Sequence, residues 1–184
     1  RALRSVSLDI PEGCFVAVIG TNGSGKSTLL NAIAGTFAPD AGAVRIDGRD
    51  ITRWSESRRA RLIGRVFQNP FAGTAAGMTV AENLAIAMRR GLSRGLGFAL
   101  PRRVRDEMIE RVRTLQMGLE TRLDNPIGTL SGGQRQALTL LMATWLKPRL
   151  LLLDEHTAAL DPKSAAQVAE LTRQIIRRDK LTAL

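Results

Sequence analysis

The nine residues Gly20-Thr21-Asn22-Gly23-Ser24-Gly25-Lys26-Ser27-Thr28 carry the most legible chemistry in this chain. They follow the apolar run Phe15-Val16-Ala17-Val18-Ile19 and precede Leu29-Leu30-Asn31-Ala32-Ile33-Ala34, which is the order strand, glycine-rich turn, helix. Gly20, Gly23 and Gly25 accept backbone angles that other residues resist, so successive N–H groups can converge on one point. A helix opening near Lys26 adds free amides and the positive end of its dipole. Lys26 can reach β- and γ-phosphates, and the Ser27 hydroxyl can take a Mg²⁺ position. The turn asks for a nucleoside triphosphate. A glycine turn that binds nothing would leave the flanking strand and helix unexplained.

A second group is Leu150-Leu151-Leu152-Leu153 followed by Asp154-Glu155. A buried parallel strand reads as a continuous apolar run, and ligands in such sheets bind at the carboxyl ends of the strands. The spacing puts two carboxylates at the edge where the glycine turn also lies. Adjacent strand residues point in opposite directions, so Asp154 is assigned to Mg²⁺ and Glu155 to activating the attacking water. The plainer alternative is a strand that simply ends in solvated acids. The third group, Leu130-Ser131-Gly132-Gly133-Gln134, places glycines at a helix start and makes a second anion site by the same physics. One triphosphate does not need two cradles, which suggests that the second serves a nucleotide held by another copy.

These groups need elements to position them. Ser5–Ile10 alternates apolar and polar residues as a half-exposed strand, and Cys14–Ile19 reads as a buried strand carrying a buried thiol. A helix is expected to about Ala34, closed by Gly35. A short strand over Ala43–Ile46 turns at Asp47-Gly48, a hairpin signal, and Ser55–Arg61 reads as helical. Leu62–Phe67 is an apolar strand ending at Gln68-Asn69-Pro70. Thr79 caps a helix to about Arg90 with Val80, Leu84, Ala87 and Met88 on one face. Gly91–Pro101 reads as a mobile connection. Arg102–Leu115 forms a helix with Val104, Met108, Ile109 and Val112 inward. Ser131 caps a helix to about Leu146, and Pro162 opens one to Arg178. Leu181–Leu184 begins a last strand. Strands alternating with helices imply an α/β fold with a mainly parallel sheet, of the P-loop NTPase (RecA-like) kind, with a small antiparallel part and a helical subdomain. The division expected is one domain, with 1–70 and 147–184 as the nucleotide-binding core and 71–146 as the helical subdomain.

In 184 residues there are 27 Lys and Arg against 17 Asp and Glu, a net charge of +10. That balance fits nucleic acid, an anionic surface or a bound polyanion. The basic residues are dispersed, apart from a denser patch at Arg89–Arg105, and aromatic residues that would stack bases are few. No apolar run approaches the ~18 residues of a membrane span. A single cysteine, Cys14, excludes an internal disulfide.

With GTNGSGKST, Gln68, LSGGQ, LLLLDE and Ala158-Ala159-Leu160-Asp161 in this order, the chain resembles the nucleotide-binding domain of ATP-binding cassette (ABC) proteins over essentially its whole length. The resemblance implies a head-to-tail homodimer or paired cassette closing over two ATP molecules with Mg²⁺. Lys26, Ser27 and the amides of Gly20–Thr28 would hold ATP in cis. Ser131, Gly132, Gly133 and Gln134 would meet the ATP of the partner. Gln68 would link Mg²⁺ and water to the helical subdomain, and Asp161 would communicate across the dimer. Separate transmembrane permease subunits and a substrate-binding protein follow, at the cytoplasmic face of the membrane, with the patch at Arg89–Arg105 docking to them. DEHTAALDPKSA and LNAIAGTF are similar to ATPase subunits of bacterial uptake systems, with an amino-acid-like cargo. The competing reading within the family is a soluble ATPase acting on nucleic acid or ribosomes. Against it, the chain lacks coiled-coil insertions, zinc-type cysteines and a second cassette. A P-loop kinase leaves LSGGQ unexplained. The family's switch histidine and adenine-stacking aromatic have no counterpart here, since the only histidine, His156, directly follows Glu155 and no aromatic precedes Phe15. A fragment trimmed at both ends, with impaired hydrolysis, is the expectation.

Overall fold

The computed structural model describes residues 3–91 and 101–184. Helix α1 (Lys26–Ala34) is followed by the hairpin β1 (Arg45–Ile46) and β2 (Arg49–Asp50), the short helix α2 (Glu56–Arg59) and strand β3 (Ile63–Val66). Helices α3 (Val80–Met88), α4 (Arg102–Arg113) and α5 (Gly132–Thr144) come next, then strand β4 (Leu150–Leu153) and helix α6 (Pro162–Asp179).

β3 and β4 pair in parallel, Ile63 with Leu150 through Val66 with Leu153. The C-terminal segment adds to the other side of β4, with Leu151 N–H donating to Thr182 O at 2.9 Å and Leu153 N–H to Leu184 O at 2.8 Å. Beyond it lies the segment around Phe15, bridged in parallel to Ala183. The expected parallel sheet and the antiparallel hairpin are both present. Asp47 and Gly48 have φ of 51° and 72°, the left-handed pair that a two-residue hairpin turn requires.

Period-two alternation along β4 splits the core. Leu150 and Leu152 face a cluster with Leu30, Ile51, Ile63 and Leu184, beneath α1. Leu151 faces the larger cluster, which joins Leu84, Met108, Val112, Leu138, Leu171 and Ile175 from α3, α4, α5 and α6. The close approach of α5 to the sheet depends on Gly64, where a Cβ would lie 2.5 Å from the Ala143 carbonyl oxygen. Three helices start where a side chain caps them: Thr79 with Glu82, Ser131 with Gln134, and Asp161 with Ser164.

Three expectations fail. Ser5–Ile10 forms no strand, because no described segment runs beside it to accept a ladder of hydrogen bonds, and Val6 and Leu8 remain exposed. Cys14–Ile19 is not a buried strand. Its backbone is hydrogen-bonded to the C-terminal segment only at Cys14 and Val16, and Ile19 is 94% exposed. Cys14 is exposed although its carbonyl accepts from the Ala183 amide. The expected connection Gly91–Pro101 lies, but for its two end residues, outside the described residues. In the basic patch, Arg90 is committed to the Ala143 carbonyl at 2.9 Å and Arg105 to Asp124 at 3.0 Å.

Candidate active site

The glycine turn curls as its residue types require. Gly23 and Gly25 take φ of 81° and 97°, and a Cβ on Gly20 would lie 2.5 Å from Ser24 Oγ. Gly25 is the N-cap of α1 and supplies no side chain, so the first-turn amides face outward uncapped. α3, α5 and α6 differ in this, each having its cap filled from within the chain. The open cap, the loop amides and the dipole together form an anion cradle. Lys26 Nζ crosses the turn, donating to Gly20 O at 2.8 Å and Thr21 O at 3.2 Å, and lies 3.9 Å from Glu155 Oε1.

β4 delivers Asp154 and Glu155 to the same edge. Ser27 Oγ donates to Asp154 Oδ1 at 3.4 Å although the two are 127 positions apart. Two hard oxygens this close can share one Mg²⁺. No group of three or more His, Cys, Asp or Glu suited to a metal exists among the described residues. A cation here would take its remaining oxygens from phosphate and water, as Mg²⁺ commonly does. Glu155 is half exposed and sits at φ 43°, a costly conformation for a side-chain-bearing residue. A cleft of about 240 Å³ opens between the Val16–Val18 segment, Lys26, Leu30 and Asp154–His156. Gln68 is exposed two residues beyond β3, at the same edge. Asn22, Ser24 and Thr28 lie within the curl or first helical turn, as expected.

Ser131–Gln134 does not join this cluster. It opens α5 and packs on the start of α6, where a Cβ on Gly133 would come 2.8 Å from Ser164. Asp161 caps α6 through the Ser164 amide at 3.0 Å, and hydrogen bonds from Ser164 hold its carboxyl below the usual carboxylate range. The Gln134 side chain turns inward, accepting from the Ser131 amide at 3.1 Å and donating to Met117 O at 3.1 Å. The Ser131 cap satisfies the Gln134 amide, and Ser131 and Gly132 remain exposed.

Three neighbours escaped the sequence reading: Arg65 beside Asp154, Asn31 beneath Arg65, and Gln136. Gln136 is fully buried and donates to Phe67 O at 3.0 Å, tying α5 to the residue before Gln68. No local pattern marks them, because each acts across more than 30 positions of chain.

His156 Nε2 lies 3.0 Å from Thr172 Oγ1, whose own proton goes to Val168 O at 2.8 Å. The imidazole therefore donates, as the neutral Nε2–H tautomer. Burial pushes its pKa below the ordinary value. The unfolded chain consequently takes up this proton first as pH falls, so His156 costs stability from about pH 6.5 down to its folded pKa, by at most about 1.4 kcal/mol per pH unit. As the only histidine in the sequence, it should dominate that window. His156→Gln should flatten the dependence of Tm on pH between about 6.5 and 5. A slope identical to wild type would exclude His156 as its source.

A glycine-rich phosphate turn and an acidic strand end meeting at one edge of a parallel sheet define a P-loop NTPase. The chain belongs to the ABC transporter family, whose model matches residues 3–158. It is an ATP-binding cassette of the class of ATPases coupled to transport. It is 43% identical over 180 residues to a tyrosine transport ATP-binding protein of Clostridioides difficile (strain R20291), covering 98% of this chain and 71% of that protein. It is 36% identical to the energy-coupling factor transporter ATP-binding protein EcfA1 of Geobacillus kaustophilus (strain HTA426), covering all of this chain and 62% of that one. The chain thus spans less than two thirds of several curated relatives. A dimeric ATP-binding cassette in a post-hydrolysis state, bound to ADP and Pi, superposes with a TM-score of 0.81 at 29% identity, covering 99% of this chain and 78% of that one. Among the described residues no helix is long and apolar enough to cross a membrane.

Proposed function

We propose that this chain is the ATP-hydrolysing subunit of a bacterial uptake transporter, working as a head-to-tail pair of cassettes beneath separate membrane subunits. The observation that carries the reading is the split between its two anion sites. Lys26, Ser27, Asp154 and Glu155 converge on one cradle, whereas the serine-headed start of α5 stands apart and exposed. A second copy brings the two together.

In that pair Lys26 and the amides of Gly20–Thr28 bind the phosphates. Ser27 and Asp154 fit Mg²⁺ by donor type and spacing, and bound Mg²⁺ would neutralise charge on the β- and γ-phosphates. Glu155 takes the proton from the attacking water. Ser131 and the amides of Gly132 and Gly133 address the partner's γ-phosphate. The Gln134 side chain contributes by holding that turn rather than by reaching out. Gln68, tied to α5 through Phe67 and Gln136, relays the state of the site to the helical subdomain. Packing of Gly133 on Ser164 couples the same turn to Asp161.

The cargo is proposed to be amino-acid-like, delivered by a substrate-binding protein, as the tyrosine-transport relative suggests. Co-expression with the membrane proteins encoded beside it tests this reading. A detergent-stable complex is expected, with ATPase activity raised by the loaded binding protein. Failure to associate, together with salt-sensitive binding to RNA or DNA, would replace it with the nucleic-acid reading.

A further inference from the structure

Arg65 lies within β3, in register with Leu152 of β4. Strand residues two apart share a face, so Arg65 stands on the face of Leu152 and Asp154, beneath α1. Its guanidinium donates to Asn31 Oδ1 at 2.6 Å and to Thr36 Oγ1 at 3.4 Å, and lies 4.5 Å from the centre of the Phe67 ring. It reaches within 3.7 Å of Asp154 Oδ2, with the two side chains only 14% and 19% exposed. Nε is buried without an acceptor, so the group is held by its two terminal nitrogens and the ring. The two oxygens of Asp154 therefore have different neighbours, with Oδ2 facing Arg65 and Oδ1 facing Ser27.

We propose that Arg65 is a positioning residue that keeps Asp154 engaged and disfavours Mg²⁺ on its own, so that metal enters this site only together with nucleotide phosphates. The proposal rests on the reading above, in which Asp154 serves Mg²⁺. A dication is drawn to a site by net negative charge and by several oxygen donors. Here the protein offers one carboxylate and one hydroxyl, and the guanidinium 3.7 Å away offsets the carboxylate's charge where both side chains are mostly buried. The neighbouring Glu155 is likewise offset by Lys26, at 3.9 Å. The triphosphate supplies the missing charge and oxygens. Arginine suits the task because it is always ionised and its planar fork is fixed at both tips, with Nη1 on Thr36 and Nη2 on Asn31, which leaves Nη2 facing Asp154 just beyond β4. The arrangement keeps the carboxylate aimed at Ser27 while the site is empty of nucleotide.

The test is Mn²⁺ binding to the nucleotide-free chain, read from the EPR signal of free Mn²⁺. Arg65→Met should bind Mn²⁺ at least tenfold tighter than wild type, a change of about 1.4 kcal/mol. Arg65→Lys keeps the charge and should stay within about threefold of wild type. Asp154→Asn placed on Arg65→Met should erase the gain. Equal affinities for Arg65→Met and wild type would overturn the proposal, as would a tenfold gain in Arg65→Lys, which remains decisive should the methionine variant not fold. Binding of a fluorescent ATP analogue with Mg²⁺ to wild type separates the two levels. Its absence would remove the nucleotide reading itself. Its presence, with no gain in Arg65→Met, would remove only the role of Arg65.

Discussion

Glu155→Gln is expected to lower ATP turnover roughly 10²- to 10⁴-fold, the usual worth of a general base, while nucleotide binding persists and a dimer accumulates. Glutamine keeps the size and hydrogen-bonding reach of glutamate but cannot accept a proton at neutral pH. The carboxylate is half exposed and lies 3.9 Å from Lys26 Nζ, at the edge where a γ-phosphate would sit. Light scattering should show monomer without ATP and a lasting dimer with it, because closure on ATP is no longer undone by hydrolysis. A second substitution separates chemistry from backbone. Glu155 is held at φ 43°, which costs a non-glycine residue on the order of 1 kcal/mol or more. Glu155→Gly should therefore be as inactive as the glutamine variant yet at least as stable as wild type. Wild-type turnover in the glutamine variant would take the base away from Glu155. An ATP-loaded variant that stays monomeric would break the proposal that two copies share each nucleotide.

What the sequence made legible was local. The three capped helices announce themselves by a hydroxyl or carboxylate at the N-cap and, for Thr79 and Ser131, by Glu82 and Gln134 three positions on. The Asp47-Gly48 turn and the Leu150–Leu153 run are equally local, and the phosphate turn is a contiguous motif. What stayed hidden depends on partners distant in sequence. Alternation over Ser5–Ile10 is necessary for a half-exposed strand but not sufficient, since a strand also needs a neighbour to bond with. Gln134 was expected to reach a partner's nucleotide, yet its hydrogen bonds go to its own cap and to Met117. The bond to the cap follows from the Ser131–Gln134 spacing, whereas the bond to Met117 is decided by the packing of α5. Arg65 and Arg59 looked like two more dispersed cations, yet each organises an element more than 25 residues away.

Arg59→Met is expected to be the most destabilising single change in the half of the chain that holds the phosphate turn. Arg59 is 1% exposed, in a segment whose sequence reads as polar and basic. Its guanidinium donates to Ala32 O and Ile33 O, both at 2.7 Å, to Thr52 O at 2.7 Å and to Trp54 O at 3.1 Å. Ala32 and Ile33 are in the last turn of α1, where carbonyls have no partner within the helix and a cation meets the negative end of the dipole. α1 has no basic residue of its own in that turn, so Arg59 supplies the charge from α2. Gly35 makes this possible. It ends α1 at φ 88°, and a Cβ there would stand 2.7 Å from Arg59 Nε. Methionine fills much of the volume but leaves four inward-facing carbonyls without their donor, for a loss of about 3–5 kcal/mol. In a chain of this size that corresponds to a fall in Tm on the order of 10 °C. Arg59→Lys should recover only part, because one ammonium cannot span carbonyls from α1 and from the Thr52–Trp54 turn together. Saturating ATP should raise Tm in wild type and variant alike, since the phosphate cradle is at the far end of α1 and binding adds RT ln(1 + [L]/Kd) to either. Thermal unfolding with and without ATP decides the matter. A Tm for Arg59→Met within about 2 °C of wild type, which is under ~1 kcal/mol, would mean that water serves those carbonyls as well as the guanidinium does, and that Arg59 does not hold α1 in place.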